Sequence, residues 1–488
     1  MKMRIKSLGI VLMAALLLML PLLSGCRVEP PAPNPGDEYE VRDSEDLDKN
    51  AALELSIMTS TDGKERKIVE GLASGFNKEF PNITFKITPL SGNIYESIMG
   101  YYNANIMPDI FLNESLTMLT LGAAGTLLDL SPYIKADTAN GTFNANDYYE
   151  NFWRLGQKNW NGGQWMAPRA ADQVVISFNK LKMIEAGIDL NPATTKVKNG
   201  WTWDDFLEVC AELREHFDNT GRGNLYLADG YLNWEANFNA ILSSWGVQYF
   251  GEDESLIDSA ATRSALNMMK NLVEKKYVAS FNASSQANFD GGQGVFLLHS
   301  RAASLTADIL KEVYKTQIAN GTYAIDDIFD VVTFPLIGAN PKVGAGVAGY
   351  SIASTIDATK RDYAWQFLKY MLSKDGQNNI SQSGANYPPM RKDMADPFAD
   401  GVKWGEGMEK FNLAAYTWAS QPGHNYVCPT EFVLKRPAFA NDLIFEVSSM
   451  IGGYLNSPAL IGSTAANSKL NSVISDCKDN LEYWAFAA

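Results

Sequence analysis

The chain has 488 residues, 46% hydrophobic and 20% charged, with a formal net charge of −15 at pH 7. That length allows two or three lobes of ordinary domain size around a large core, and so acidic a surface repels nucleic acid and anionic lipid headgroups. The three histidines, His216, His299 and His424, are far apart and no HExxH or CxxC spacing occurs, which argues against a catalytic zinc site.

The chain begins with Lys2, Arg4 and Lys6, then an apolar run from Leu8 to Leu23 broken by Pro21. The run is shorter than the roughly 20 residues a membrane-crossing helix needs, so it reads as a secretory leader over residues 1–25. Leu23-Ser24-Gly25-Cys26 resembles a bacterial lipobox, in which the cysteine takes a diacylglycerol and becomes the first mature residue. Stable anchoring generally needs two membrane signals, and two acyl chains supply them at about 0.8 kcal/mol per buried CH₂. A protein tethered at Cys26 to the outer face of the cell membrane works away from most ATP- and NAD-dependent chemistry. Without the three basic leader residues its formal charge falls from −15 to −18. Residues 26–50 read as a flexible tether, with Pro30, Pro31, Pro33 and Pro35 followed by Asp43, Glu45, Asp46 and Asp48. Such a segment buries too little apolar surface to order itself.

The folded part opens with the alternation Leu53, Leu55, Ile57, a strand. Ile68, Val69, Leu72, Ala73 and Phe76 follow at helical spacing and stop before Pro81; Ile83, Phe85 and Ile87 alternate again. This β-α-β order predicts a parallel pair with a crossover helix. A helix over about 94–105 leads to the short buried strand at Pro108-Asp109-Ile110-Phe111-Leu112, and the pattern is an open α/β sheet. Thr202 with Asp205 predicts a capping box opening a helix at about Trp203, and Thr359 with Asp362 predicts another. Phe329 to Phe334 reads as a strand, and the last hundred residues read as mainly helical. Cys210 lies on the stripe Phe206, Val209, Leu213, Phe217, and Cys477 on Val473, Ile474, Leu481, which favours buried thiols acting as small hydrophobes. One disulfide among Cys210, Cys428 and Cys477 stays open, and spacing does not pair it.

Nine segments in order carry a resemblance to a known family. They are Leu53 to Ser60; Met107-Pro108-Asp109-Ile110-Phe111; Gly125 to Ile134 (GTLLDLSPYI); Asn161 to Pro168 (NGGQWMAP); Val175 to Lys180 (VISFNK); Glu185-Ala186-Gly187-Ile188; Trp201 to Phe206 (WTWDDF); Gly349 to Ala353 (GYSIA); and Ala364 to Tyr370 (AWQFLKY). Together they resemble the extracellular solute-binding proteins of ABC importers, in the carbohydrate-binding group similar to maltose-binding protein. The resemblance covers about residues 50–400. It implies an α/β fold of two hinge-connected lobes, the class II arrangement of periplasmic binding proteins, with ligand in the cleft between them. It places one lobe at about 50–167 plus 336–385 and the other at about 168–335 plus 386–488.

A sugar offers hydroxyls at its edge and apolar C–H patches on its faces, so a site needs planar polar groups and flat aromatics together. Four places meet that need. Arg169 and Asp172 follow Pro168 at the first crossing; Trp234 sits between Asn233 and Glu235; Tyr350 follows Gly349 at the second crossing; Asp109, Asn113 and Glu114 flank a strand, the last two beyond its C-terminal end, where open α/β sheets bind ligands. Tyr387, with Pro388, Pro389 and Arg391, marks a third crossing. Bland roles compete: Asp109 capping a turn, Arg169 and Asp172 as a surface ion pair, Tyr350 packing on the hinge, Trp234 in a core.

The expected function is a monomeric, lipid-anchored receptor that captures a carbohydrate, most simply an oligosaccharide, and delivers it to ABC permease subunits, with no cofactor, metal or nucleic acid. The competing readings are a lipoprotein glycosidase with paired carboxylates and a sugar sensor feeding a membrane kinase.

Overall fold

The computed structural model describes residues 41, 46–157, 163–171, 173–229, 235–247, 259–279, 287–345, other than 301–306, 347–385, 387–405, 407–421, 423–424, 426, 440–455 and 464–487. The chain runs β1 (Leu53–Ser60), α1 (Gly63–Phe76), β2 (Ile83–Leu90), α2 (Ile94–Asn103), β3 (Ile110–Glu114), α3 (Ser115–Ala123), α4 (Ser131–Ala139), α5 (Glu150–Arg154) and β4 (Ala167–Pro168). It continues as β5 (Val175–Asn179), α6 (Lys180–Glu185), α7 (Trp203–Asn219), β6 (Ala228–Asp229), α8 (Glu235–Ser244), α9 (Ala260–Glu274), α10 (Ala287–Asp290), β7 (Phe296–Ser300), α11 (Ala307–Val313), α12 (Lys315–Ala319), α13 (Ile325–Ile328) and β8 (Phe329–Thr333). It closes with β9 (Ala348–Ile352), α14 (Ala358–Leu372), α15 (Lys374–Ile380), α16 (Ala440–Leu455) and α17 (Thr464–Ala487).

Two sheets result, one per lobe. The first has the order β2-β1-β3-β9-β4 and the second β6-β7-β5-β8. The predicted β-α-β unit is present: β1 and β2 are parallel in register from Leu53–Ile83 to Ser60–Leu90, and α1 is the crossover. Asp62 caps α1 by accepting from the Lys64 N–H at 3.0 Å, and the helix turns Ile68, Val69, Leu72 and Phe76 inward. Phe76 meets Phe80, Phe85 and Phe367 at centroid distances of 4.8 to 6.0 Å, which locks α1 onto the sheet and onto α14.

Glycine is required at 349. A Cβ there would lie 2.2 Å from the Ala167 carbonyl oxygen, so only glycine lets β9 approach β4 in the pairing Pro168–Gly349.

The Thr202–Asp205 capping box forms as expected, with the Asp205 N–H donating to Thr202 Oγ1 at 3.1 Å and the Thr202 N–H to Asp205 Oδ2 at 2.9 Å. The Thr359–Asp362 box does not. The helix starts two residues earlier: Asp357 is the cap, accepting from the Thr359 N–H at 2.7 Å, and Asp362 is buried. A short carboxylate just outside the first turn reaches those donors better than Thr359, which is already helical.

The expectation of a mainly helical last hundred residues holds for α16 and α17. Between 388 and 421 the described helical turns are short 3₁₀ segments. Pro388, Pro389 and Pro397 lack N–H donors, and Gly401 and Gly407 take positive φ.

Residues 391–403 stay with the first lobe, whereas the resemblance placed everything after 385 in the second. Arg391 pairs with Asp147 at 3.2 Å, and the Lys403 N–H donates to Asn378 Oδ1 at 2.8 Å. Phe411, Leu413 and Tyr416 enter the second lobe's core beside Val175, Leu297 and Phe329, so the third crossing lies between 403 and 411. Helix α16 contacts both α3 of the first lobe and α9 of the second.

Cys210 and Cys477 are free and buried, and burial pushes the Cys477 thiol up to about 12. Cys428 lies outside the described residues. Among the described residues no helix is long and apolar enough to cross a membrane.

Candidate functional site

Strand registers fix where the two sheets face each other. In the first sheet β3 ends at Glu114, which pairs with Ala348 at the start of β9. In the second, β5 starts at Val175, which pairs with Ser300 at the end of β7 and Thr333 at the end of β8. Both sheets therefore turn the C-terminal ends of their main strands toward the crossing segments, where α/β sheets hold ligands.

Arg169, Tyr350 and Tyr387 meet at this junction, joined by two residues that the sequence reading did not single out, Glu65 and Thr59. Arg169 and Glu65 form a buried ion pair. The guanidinium also donates to the Ala348 carbonyl at 3.2 Å and lies 4.1 Å from the Tyr387 ring centroid. Tyr387 donates its hydroxyl to Glu65 Oε1 at 3.2 Å, and the Tyr350 hydroxyl shares a 2.8 Å hydrogen bond with Thr59 Oγ1. Burial opposes the charge on Arg169, but the Glu65 carboxylate beside it more than offsets this, and the net shift is upward. Burial, reinforced by the Glu65 charge, pushes the Tyr350 hydroxyl well above its ordinary value.

Arg169 is thus buried and not a surface residue. Its backbone N–H donates to Ala348 O at 3.1 Å, and its carbonyl accepts from Gln377 Nε2 at 2.9 Å. Gln377 Oε1 in turn accepts from the Met390 N–H at 2.9 Å. One side chain and its backbone so tie together the first crossing, the second crossing, helix α1 and the segment carrying Tyr387.

Asn113 and Glu114 lie beside this cluster at the C-terminal end of β3. Asn113 is buried and donates to Ser351 Oγ at 3.1 Å; Glu114 is exposed. Asp109 is elsewhere, at the opposite end of the same strand and roughly 15 Å away by strand rise. Its carboxylate accepts from the Ser56 N–H at 2.8 Å and pairs with Lys360 at 3.0 Å, so it braces β1, β3 and α14. Arg391, held by Asp147 and Asp393, sits on the first lobe. Asp172 and Trp234 lie outside the described residues.

In the second lobe, Asp229 ends β6 opposite Leu297, three residues before the Ser300 end of β7. It is buried and accepts from the Phe289 N–H at 2.8 Å and Asn288 Nδ2 at 3.2 Å; burial raises its carboxyl above the ordinary range. The signal for Glu65 was present in the sequence: it sits at i−3 and i−4 from Ile68 and Val69, on the inward stripe of α1. Nothing local marks Thr59 or Asp229. Among the described residues no group of three His, Cys, Asp or Glu side chains could hold a metal ion.

Residues 71–409 match the model of the bacterial extracellular solute-binding protein family. The chain belongs to this family. The erythritol/L-threitol-binding protein of Mycolicibacterium smegmatis is 20% identical over 395 residues, covering 77% of this chain and 78% of that protein. Among solved structures, the sugar-binding protein MalE of Xanthomonas citri superposes with a TM-score of 0.65 at 16% identity over 89% of this chain and 99% of its own. Maltose-bound MalE3 of Thermotoga maritima (T. maritima) gives 0.63 at 18% identity over 88% and 100%. The Listeria monocytogenes substrate-binding protein Lmo0181, solved with cycloalternan, gives 0.62 at 18% over 89% and 99%. These likenesses carry the two-lobed α/β fold of the solute-binding family, whose members act outside the cytoplasm as binding proteins.

Proposed function

We propose that this solute-binding protein is the receptor of an ABC importer, that its ligand is a carbohydrate held between the lobes, and that it releases the ligand chemically unchanged to the permease. The observation that carries the reading is the meeting of both sheets' C-terminal strand ends at the crossing segments, in a chain whose relatives are named for maltose, cycloalternan and tetritols. In this reading Asn113, Glu114, Asp172 and Trp234 face the ligand. Arg169, Tyr350 and Tyr387 form a floor that holds the crossings in place. Cys26 anchors the mature, monomeric protein to the outer face of the cell membrane, and the first lobe takes residues 50–167 and 336–403.

Hinge closure over a ligand is the standard working motion of periplasmic binding proteins. Micromolar binding needs about −8 kcal/mol, and a Trp face covered by a sugar contributes roughly 1–2 kcal/mol, so hydrogen bonds must supply the rest. Calorimetry of the mature protein against mono- and oligosaccharides and sugar alcohols tests the reading. A compound that binds and is recovered intact supports it; turnover of that compound to products replaces it with a glycosidase. Trp234→Ala should weaken binding at least tenfold while leaving the melting temperature of the unliganded protein in place. Equal affinity would remove Trp234 from the site.

A further inference from the structure

Helices α16 and α17 pack on each other and lie beyond the residues that match the family model. Ile451, Tyr454 and Leu455 of α16 are buried, as are Leu470, Val473 and Ile474 of α17. The last turn of α16 is anchored on the second lobe. The Tyr454 hydroxyl donates to Asn267 Oδ1 at 3.1 Å, and the Lys270 ammonium lies 5.1 Å from the Tyr454 ring centroid, within cation–π range. Both partners belong to α9. Helix α16 also touches α3, which belongs to the first lobe: it starts directly after Glu114, and its Gly122 makes room for the Trp165 ring. One helix thus rests on both lobes.

The anchor is polar. Lys270 is 4% exposed, and the Glu274 carboxylate is 3.9 Å from its ammonium, beyond hydrogen-bond reach. Glu274 Oε1 is buried with no hydrogen-bond partner among the described residues. Burial and the Glu274 charge together raise the Tyr454 hydroxyl, so the ion pair and the ring share one seat. An ion pair so poorly satisfied contributes little stability; it supplies a fixed place for the Tyr454 ring instead. Directly before that ring stand Gly452 and Gly453, the poorest helix formers short of proline. The helix is continuous through them, and a Cβ on Gly453 would meet nothing within 4 Å, so packing does not demand glycine at 453. Small flexible pairs of this kind are where helices bend.

We propose that α16 is an interlobe strap: Asn267 and Lys270 position it on the second lobe, Gly452 and Gly453 let it swing, and its seat on α3 holds the lobes together in this arrangement. A helix anchored to one lobe meets a helix of the other only while the lobes stand at one separation. Whatever free energy that contact holds therefore favours that separation. The inference goes beyond the carbohydrate reading, because it requires that the lobes move and not what lies between them.

Hydrogen exchange read by mass spectrometry, with small-angle scattering, tests the strap on the unliganded mature protein. Tyr454→Ala removes the anchor. Exchange should rise at least tenfold in α16 and at least threefold in α3, on the other lobe, while β1 and α1 keep their protection, and the radius of gyration should increase. Gly453→Ala favours the continuous, seated helix. Exchange in α16 and α3 should fall at least threefold and the radius of gyration should not increase. Faster exchange confined to α16 and α9 in Tyr454→Ala, with α3 and the radius of gyration unchanged, would make the anchor a local packing feature and overturn the strap. Unchanged α16 exchange in Gly453→Ala overturns the pivot. Should Tyr454→Ala fail to fold, Asn267→Ala, which removes only the hydrogen bond, carries the same expectation for α3 at a smaller amplitude, and unchanged α3 exchange there overturns the strap. No ligand enters these measurements, so they are decided apart from the carbohydrate reading.

Discussion

Arg169 is 3% exposed and Glu65 6%, and each is tolerable there only because of the other. Breaking such a pair from one side leaves an uncompensated buried charge, at a cost of about 3–5 kcal/mol. Glu65→Ala should therefore lower stability by that amount in urea titrations. Glu65→Leu paired with Arg169→Met should recover much of the loss, since an apolar pair of similar volume carries no charge to desolvate. Tyr148 and Tyr149 supply a pH dependence. Burial raises both hydroxyls from the ordinary 10 to about 12. A raised folded-state value means that the folded protein holds its phenol protons longer than the unfolded chain. That stability is fully present below pH 10 and drains away as pH rises from 10 to 12. Urea midpoints at pH 9, 10 and 11 should fall progressively, and Tyr149→Phe should flatten the decline. At this scale the sequence pointed to Arg169, Tyr350 and Tyr387 but not to what they touch. Glu65 is 104 positions from Arg169, and no local pattern links two residues that far apart.

Among the elements, those whose signals are local are the ones the sequence specifies. Helix α7 is bounded by a capping box four residues long, and Thr202→Ala should remove about 1 kcal/mol, measurable as a lower melting temperature with the fold intact. The α14 cap shows how narrowly such signals discriminate. Asp357, Thr359 and Asp362 are all plausible short polar starters, and the packing of Tyr363, Ala364, Phe367 and Leu368 against the first lobe decides which turn comes first. Gly349 belongs to this scale as well. Gly349→Val would drive a side chain into the Ala167 carbonyl and separate β4 from β9, so it should both destabilise the protein and weaken ligand binding, because β4 positions the first crossing. A variant that binds normally would show that β4 does not set the crossing.

For the whole molecule, the two sheets joined by crossing segments make closure the quantity to measure. A ligand present at 100 times its dissociation constant and binding only the folded state adds about 2.7 kcal/mol, so the melting temperature should rise by several degrees. Scattering should show a smaller radius of gyration if the lobes draw together over it. Helix α16, in contact with both α3 and α9, is placed to resist or follow that motion. The third crossing shows the limit of pattern reading: 391–403 and 408–416 are adjacent, similar in composition and rich in turns, yet they pack on different lobes. Proline and glycine say that the chain bends there but not which surface it bends toward.

The β-α-β order, the capping box at Thr202, the buried thiols and the ordered segments that mark a solute-binding protein are written in short stretches of sequence, because periodicity and capping act over a few residues. Only the tertiary structure decided that Arg169 is neutralised by Glu65, and that Asp109 braces one end of a strand while Asn113 and Glu114 occupy the other. Those outcomes depend on which charges are buried together. Burial is a property of the packed chain, set by contacts between residues that the sequence keeps far apart.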